Sequence, residues 1–214
     1  YRQLACSLAK EAMELLQQSP APTDLIVKAP GDWASSLDTL IEQHLKKRIW
    51  QTYPDHLIWG EETHVTDNAE SLDSACAWLI DPIDGSMNFL RGYPQYSVSI
   101  ALVQNGKPVA ACIADPVRRE IFSAAAGLGA QCNGSVLQCS GTASLSSALG
   151  ATVFPKPTAQ FMPDYMRELN LALTHTAGMR RSGSMALELA YLAAGRLDVF
   201  WERGMGPWDA AAGL

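Results

Sequence analysis

From the N-terminus, apolar positions recur twice at helical spacing before any strand pattern begins. Leu4, Leu8, Met13, Leu15 and Leu16 fall near one face of residues 2–18, and Ser19-Pro20 ends that run. Pro20 to Pro30 reads as a loop with one short apolar piece, Leu25-Ile26-Val27. A second helix begins near Ser35-Ser36, where Ser35 and Asp38 have the spacing of a capping box. Leu37, Ile41, Leu45 and Ile49 then repeat every four residues until Tyr53-Pro54. Beyond that point the pattern changes to short apolar runs punctuated by turn residues.

Leu57-Ile58-Trp59 reads as a strand that delivers Gly60-Glu61-Glu62, and a polar excursion fills residues 63–74. Trp78-Leu79-Ile80 is a buried strand leading into Asp81-Pro82-Ile83-Asp84-Gly85-Ser86. Pro82 has no N–H, so strand pairing is expected to stop there. Gly85 allows a sharp reversal, and Ser86 suits the start of a helical turn. Residues 96–139 predict an antiparallel meander, with strands over 96–103, 109–113 and 120–125 and hairpin turns at Asn105-Gly106 and Asn133-Gly134. Residues 140–147 are small and polar and mark the expected boundary between an N-terminal lobe, 1–140, and a C-terminal lobe, 141–214. In the second lobe a strand is expected over 148–153 and a helix over 163–174. Another helix over 185–194 is stopped by Gly195, and a strand over 197–201 delivers Glu202. Pro207-Trp208-Asp209 opens a further helix just before Leu214, so the pattern predicts a chain that continues past this segment, and a start at Tyr1 predicts the same at the other end.

With 214 residues, 48% hydrophobic and 18% charged, the chain has an ordinary globular composition. A net charge of −6, with Lys46-Lys47-Arg48 the longest basic run, argues against a non-specific nucleic-acid or anionic-membrane surface. No apolar run approaches a membrane span and no leader is evident, so a cytoplasmic protein is expected. The five cysteines are scattered and form no Cys-x-x-Cys, which fits reduced thiols. The four histidines form no His-Glu-x-x-His. Gly106-Lys107 runs into Pro108 without the upstream glycine of a phosphate loop.

The chemistry therefore rests on acids. An isolated Asp-Pro is turn chemistry. Here Asp81 and Asp84 flank Pro82, Gly85-Ser86 follows, and Glu61 ends another strand. Paired carboxylates at strand ends suit a hard cation, and free backbone N–H groups beside them suit an anion. A metal-bound phosphate meets both demands. Asp38 and Asp209 each read equally as acids that merely stabilise a helix start, and Arg180-Arg181 as a solvated pair. From the residues alone those alternatives stay open.

Residues 78–89 resemble the first signature of the inositol monophosphatase family, and Trp208-Asp209-Ala210-Ala211-Ala212-Gly213 resembles its second. Gly60-Glu61-Glu62 matches the family's Gly-Glu-Glu, and Asp32-Trp-Ala-Ser-Ser-Leu-Asp38 is similar to its Asp-x-x-Thr-x-x-Asp. Trp33 and Ser35 depart from the usual aliphatic and threonine, and Ser86 replaces a commoner threonine while keeping the hydroxyl. Residues 180–213 look like a bacterial branch of the family. The resemblance implies an α+β fold, a layered α-β-α-β-α sandwich of the inositol monophosphatase and fructose-bisphosphatase type, here without the family's final segment.

It also implies a Mg²⁺-dependent phosphomonoesterase acting on inositol-1-phosphate or similar small polyol phosphates. Glu61, Asp81 and the Ile83 carbonyl would hold one Mg²⁺, and Asp81, Asp84 and Asp209 a second; Glu61 would help hold a third. Asp38, Ser86 and Glu61 would act in catalysis. Asp84, Gly85, Ser86 and Asp209 would contact the phosphate, and Arg180, Gly183, Ser184, Met185 and Glu202 would line the alcohol side. Met87-Asn88-Phe89 stands where the adenosine-phosphate branch has Lys-Glu-Phe, which favours inositol phosphates. A homodimer is implied. So is the alternative reading, a regulatory partner of transcription or ribosome-assembly machinery with vestigial or secondary phosphatase activity, and so is a related phosphatase acting on another small phosphomonoester.

Overall fold

The computed structural model describes residues 1–19, 24–29, 32–63 and 76–214. Along the chain come α1 (Arg2–Gln18), β1 (Ile26–Ala29), β2 (Asp32–Ala34), α2 (Ser36–Thr52), β3 (Leu57–Gly60), β4 (Cys76–Asp84) and α3 (Ser86–Leu90). Then follow β5 (Ser97–Gln104), β6 (Lys107–Asp115), β7 (Glu120–Ala125), β8 (Gly129–Cys132) and β9 (Ser135–Val136). The last part holds β10 (Leu149–Thr152), α4 (Met162–His175), β11 (Gly178–Arg180), α5 (Met185–Ala193), β12 (Val199–Trp201) and α6 (Pro207–Ala210).

Strands β3 to β9 form one sheet in sequence order, antiparallel except for the parallel pair β3–β4. The two hairpin turns predicted at Asn-Gly are present. Asn105 and Gly106 have φ of 50° and 70°, the mirror-image turn that matches strand twist, and Asn133 and Gly134 have 48° and 86°. A second, three-stranded parallel sheet has β10 between β11 and β12.

The layers follow from which faces are apolar. Leu8, Leu16, Ile41, Leu45 and Ile49 of α1 and α2 bury against Trp78, Ile80, Ile100 and Leu102 on one face of the large sheet. Ala5, Ala9 and Ala12 are fully buried as well, small enough to bring α1 close to the strands. On the other face, Leu79, Ala101 and Val103 meet Ala211 beside α6, while Ile113 and Phe122 meet Ala186, Leu187 and Ala190 of α5. At about 25 cal/mol per Å² of apolar surface, these two-sided burials dominate the stability of the central strands. The small sheet packs behind α5, and α4 covers its far side through Tyr165, which stacks on Trp201 at 6.3 Å. The order is α-β-α-β-α, as the family resemblance implied.

Two expectations need correction. The described part of the loop over 20–30 is not irregular, because β1 pairs with β2 in a two-stranded ribbon. Strand pairing does not stop at Pro82 either. Asp81 pairs with Ser99 and Asp84 with Ser97, so one extra residue bulges out of β4 between them. Proline is tolerated at a bulge because no ladder hydrogen bond is asked of it. Residues 64–75, most of the polar excursion after β3, lie outside the described residues. All five cysteines are unpaired.

Candidate metal centre

The bulge in β4 is what makes a site. In a regular strand, residues three apart point to opposite faces. Trp78 and Ile80 face α1 and α2, Leu79 faces α6, and Asp81 continues the Leu79 phase. The extra residue resets the alternation, so Ile83 enters the α1–α2 core while Asp84 joins Asp81 on the α5–α6 side. Asp81, Asp84 and Asp209 then each offer a carboxylate oxygen within 4.8 Å of the others.

Each acid is delivered by a different device. Asp81 is buried, and its Oδ1 accepts the Ile83 N–H at 3.0 Å. Asp84 sits at the start of α5, where Oδ1 accepts the Met185 N–H at 3.0 Å. Its Oδ2 accepts the Ala186 N–H at 2.9 Å, the Ser184 hydroxyl at 2.6 Å and the Ser97 hydroxyl at 3.0 Å. Asp209 lies in the first turn of α6 and accepts the Gly206 N–H at 2.8 Å. The α6 start is itself tied to β5, since the Ser99 hydroxyl donates to the Trp208 carbonyl at 3.0 Å. Glu61 follows β3, whose parallel register sets Gly60 beside Ile80, so Glu61 emerges next to Asp81. Its Oε1 pairs with Lys28 at 3.2 Å.

Asp38 and Ser86 form the second part. Asp38 is buried. Its Oδ2 accepts the Ser35 N–H at 2.8 Å and the Ser35 hydroxyl at 2.6 Å, at the helix start where the sequence placed a capping pair. Its Oδ1 lies 2.7 Å from the Ser86 hydroxyl, which also reaches the Ile83 carbonyl at 2.8 Å. Gly85 has φ of 94°, open to glycine, and a Cβ there would lie 2.9 Å from the Gly183 carbonyl. The turn is thus pressed against the 180s loop, and the Asn88 amide clamps the two by donating to Gln95 O at 2.6 Å and Ser182 O at 2.8 Å.

The electrostatics are those of a site built for cations. Burial, then the charges of Glu61, Asp84 and Asp209, push the Asp81 carboxyl well above the usual range. Burial also raises Asp84, against its four donors. Asp209 rises to about 7 through burial and the charges of Asp84 and Glu61. Hard oxygen donors converging in a partly desolvated pocket fit Mg²⁺ or a similar ion.

A cavity of about 610 Å³ opens beside the cluster. Glu61, Asp209, Met185, Arg181, Glu202 and Trp208 line it, together with Phe154 and Phe161 from the segment after β10. Burial, then Asp209, Asp84 and Glu188, push Glu202 to about 8. Gly183 and Ser184 flank this wall, with Ser184 turned inward to Asp84. Arg180 is not brought to this cavity; it is exposed on β11, donates to the Met179 carbonyl at 3.0 Å and lines a separate hollow with Arg118 and Glu188. Arg181 takes the place on the acidic cavity, stacked over Phe154 at 5.3 Å.

Sequence reasoning missed several supporting groups. Lys28 pairs with Glu61 and Glu62, Ser97 and Ser99 anchor Asp84 and α6, and Glu188 accepts the Ser182 N–H at 2.8 Å to hold the loop carrying Arg181. Two serines at alternate positions of an otherwise apolar strand were the available signal for Ser97 and Ser99.

The profile of the inositol monophosphatase family matches residues 1–214, the whole chain. The chain belongs to the inositol monophosphatase family. It is 40% identical over 216 residues to the Nus factor SuhB of Pseudomonas aeruginosa, covering 98% of this chain and 79% of that one. The structure superimposes on the extragenic suppressor protein SuhB of Bartonella henselae with a TM-score of 0.89 and 33% identity, covering 99% of this chain and 81% of that one. An inositol monophosphatase from Anabaena (Nostoc) gives 0.84 at 36% identity, covering 99% and 78%. As a member of this family the chain is of a phosphatase lineage, and its fold is that of the family. No helix among the described residues is long and apolar enough to cross a membrane.

Proposed function

We propose that the chain is a Mg²⁺-dependent phosphomonoesterase acting on inositol-1-phosphate or a similar small polyol phosphate. The observation that carries this reading is the convergence of Asp81, Asp84 and Asp209 within 4.8 Å, beside Glu61 and the Asp38–Ser86 pair. Glu61, Asp81 and the Ile83 carbonyl would hold one ion, and Asp81, Asp84 and Asp209 another, with Glu61 contributing to a third. Bound there, Mg²⁺ lowers the pKa of a water and offsets charge on the leaving oxygen.

The chain's own groups do the rest. Asp38 spends one oxygen on Ser35 and keeps the other for Ser86, so the Ser86 hydroxyl donates inward and presents its lone pairs to a water. A proton taken by Ser86 has Asp38 as its acceptor 2.7 Å away. The first N–H groups of α3 have no intrahelical acceptor and would be the donors for a phosphate bound beside Gly85 and Ser86. Glu202 lines the cavity, where its carboxyl can hydrogen-bond polyol hydroxyls.

A second reading is favoured by the relatives' name. The Pseudomonas aeruginosa protein is called a Nus factor, and this chain would then serve as a regulatory partner of transcription machinery with phosphatase activity as a secondary trait.

The test is phosphate release from inositol-1-phosphate, with and without Mg²⁺, in wild type and Asp209→Asn. The asparagine oxygen can still accept the Gly206 N–H, so the helix start is kept while the ligand charge is lost. Loss of a ligand worth several kcal/mol predicts a fall in turnover of about a thousandfold. No Mg²⁺-dependent release by folded wild type from a panel of small phosphomonoesters sinks the enzyme reading. Capture of transcription factors unaffected by Asp209→Asn then favours the second.

A further inference from the structure

The Glu42 carboxylate has no part in the carboxylate cluster itself. Glu42 lies one turn after Asp38 on α2 and is fully buried, in the middle of the helix where its dipole gives no help to an anion. Burying a carboxylate is costly unless it is paired and hydrogen-bonded. Its partners all belong to one turn or to its own helix. Oε2 accepts the Glu62 N–H at 2.7 Å, and Oε1 accepts the Thr63 hydroxyl and lies 3.0 Å from the Lys46 ammonium. Lys46 also donates to the Thr63 hydroxyl. Gly60 lies flat against the carboxylate, where a Cβ would come within 2.1 Å of Glu42 Cδ. Gly60, Glu62 and Thr63 bracket Glu61. On the sheet side, the Glu61 N–H donates to the Ile80 carbonyl at 3.1 Å.

We infer that Glu42 is a positioning residue for metal binding, fixing the turn that aims Glu61 at the ion site. The inference rests on the reading of Glu61 as a metal ligand. Asp38 and Glu42 stand at i and i+4, so one face of α2 sets both halves of the centre, the Ser86 turn through the first and the Glu61 turn through the second. The other charged group at this turn is Lys28, whose ammonium reaches Glu61 at 3.2 Å and Glu62 at 2.5 Å. Without the Glu42 anchor the turn is free to follow Lys28, and Glu61 leaves the direction of Asp81. An apolar residue at 42 would fill the space but could not orient the Glu62 N–H.

The experiment is calorimetric titration of the chain with Mg²⁺ in wild type, Glu42→Gln, Glu61→Gln and the double variant, with circular dichroism to verify folding. Glutamine keeps the volume but leaves one of the three donors without an acceptor. Groups that hold a metal ligand in place typically change affinity tenfold or more, so Glu42→Gln should weaken the tightest Mg²⁺ site by about tenfold. Because Glu42 acts through Glu61, adding Glu42→Gln to Glu61→Gln should weaken it no further. A merely structural role would lower the melting temperature and leave both affinities unmoved. Wild-type affinity in folded Glu42→Gln, or full additivity in the double variant, overturns this inference alone. Wild-type affinity in Glu61→Gln overturns the ligand assignment, and the inference with it. Should Glu42→Gln not fold, Thr63→Val removes a single hydroxyl from the same anchor. A loss of Mg²⁺ affinity that vanishes in the Glu61→Gln background supports the inference, and unchanged affinity overturns it.

Discussion

The two walls of the acidic cavity are built on different terms. On the inner wall, Asp84 receives four donors, Asp38 three, and Ser86 sits between two acceptors, all buried. On the outer wall, Arg181 is exposed over Phe154, and Glu202 keeps a buried oxygen with no hydrogen-bond partner among the described residues. The inner groups are fixed before any ligand arrives, as chemistry that depends on sub-ångström placement requires. The outer groups leave their hydrogen-bonding capacity to whatever enters. The inner wall should therefore govern turnover and the outer wall binding.

The largest expected break of that division is at Ser86. Ser86→Ala removes the hydroxyl that reaches Asp38 at 2.7 Å but leaves the carboxylate cluster in place. Turnover at saturating Mg²⁺ should fall about a hundredfold, the usual size of a positioned proton-transfer group, with KM little changed. Ser86→Thr, which keeps the hydroxyl, should stay within a few-fold of wild type. Steady-state phosphate release decides it, and equal losses in the two variants would remove Ser86 from the chemistry.

A second break uses the negative charge that the two walls concentrate together. Asp81 and Asp84 titrate above the ordinary carboxylate range, Asp209 at about 7, and Glu202 at about 8. A carboxyl whose pKa is raised by folding stabilises the folded state at low pH and loses that contribution as pH climbs from its unfolded value, about 4, through its folded value. The metal-free chain should thus melt higher at pH 5 than at pH 8, by about 5 °C. Mg²⁺ should raise the melting temperature at pH 8 and have little effect at pH 5, where protons compete for the ligands. Scanning calorimetry across that range, with chelator and with Mg²⁺, checks both. A flat profile without metal would mean the acids do not repel one another as placed.

What the sequence disclosed follows the range of the forces involved. The α2 cap, the stripe Leu37-Ile41-Leu45-Ile49 and the Asn-Gly hairpins are set by neighbours within a few residues, and all were legible. The bulge at Pro82 was not, because a missing N–H permits either an end of pairing or a bulge, and only the match to Ser97 and Ser99 decides. β11 escaped notice because three residues at the rim of a parallel sheet carry no pattern of their own. Glu42 with Lys46 reads as an ordinary exposed i, i+4 pair, and only the approach of Gly60 reveals it as buried. Of the acids of the centre, Glu61, Asp81 and Asp84 were legible as carboxylates at strand ends, whereas Asp209 read equally as a helix-start acid and was assigned only through the family resemblance. How they meet depends on the parallel register of β3 and β4 and on α5 and α6 arriving from far along the chain.

The smallest expected effect is also the one that separates neighbouring residues. Resemblance assigned the alcohol side to Arg180, whereas the fold turns Arg180 toward the hollow with Arg118 and puts Arg181 on the cavity beside Glu202. The reason is local: β11 ends at Arg180, and the next residues turn into the loop that Glu188 and Asn88 hold against Gly85. Arg181 is exposed, so its attraction for an anionic substrate is screened and worth roughly 1 kcal/mol, about fivefold in affinity. On the proposed reading it lines the side that would take the alcohol, so the loss should be the same in the bound and reacting states. Arg181→Ala should therefore raise KM about fivefold and leave kcat within about twofold, while Arg180→Ala should change neither. Parallel kinetics on the two variants test the assignment directly. An effect confined to Arg180→Ala would return the specificity wall to the residue that resemblance chose, and a fall in kcat with Arg181→Ala would extend the inner wall's role across the cavity.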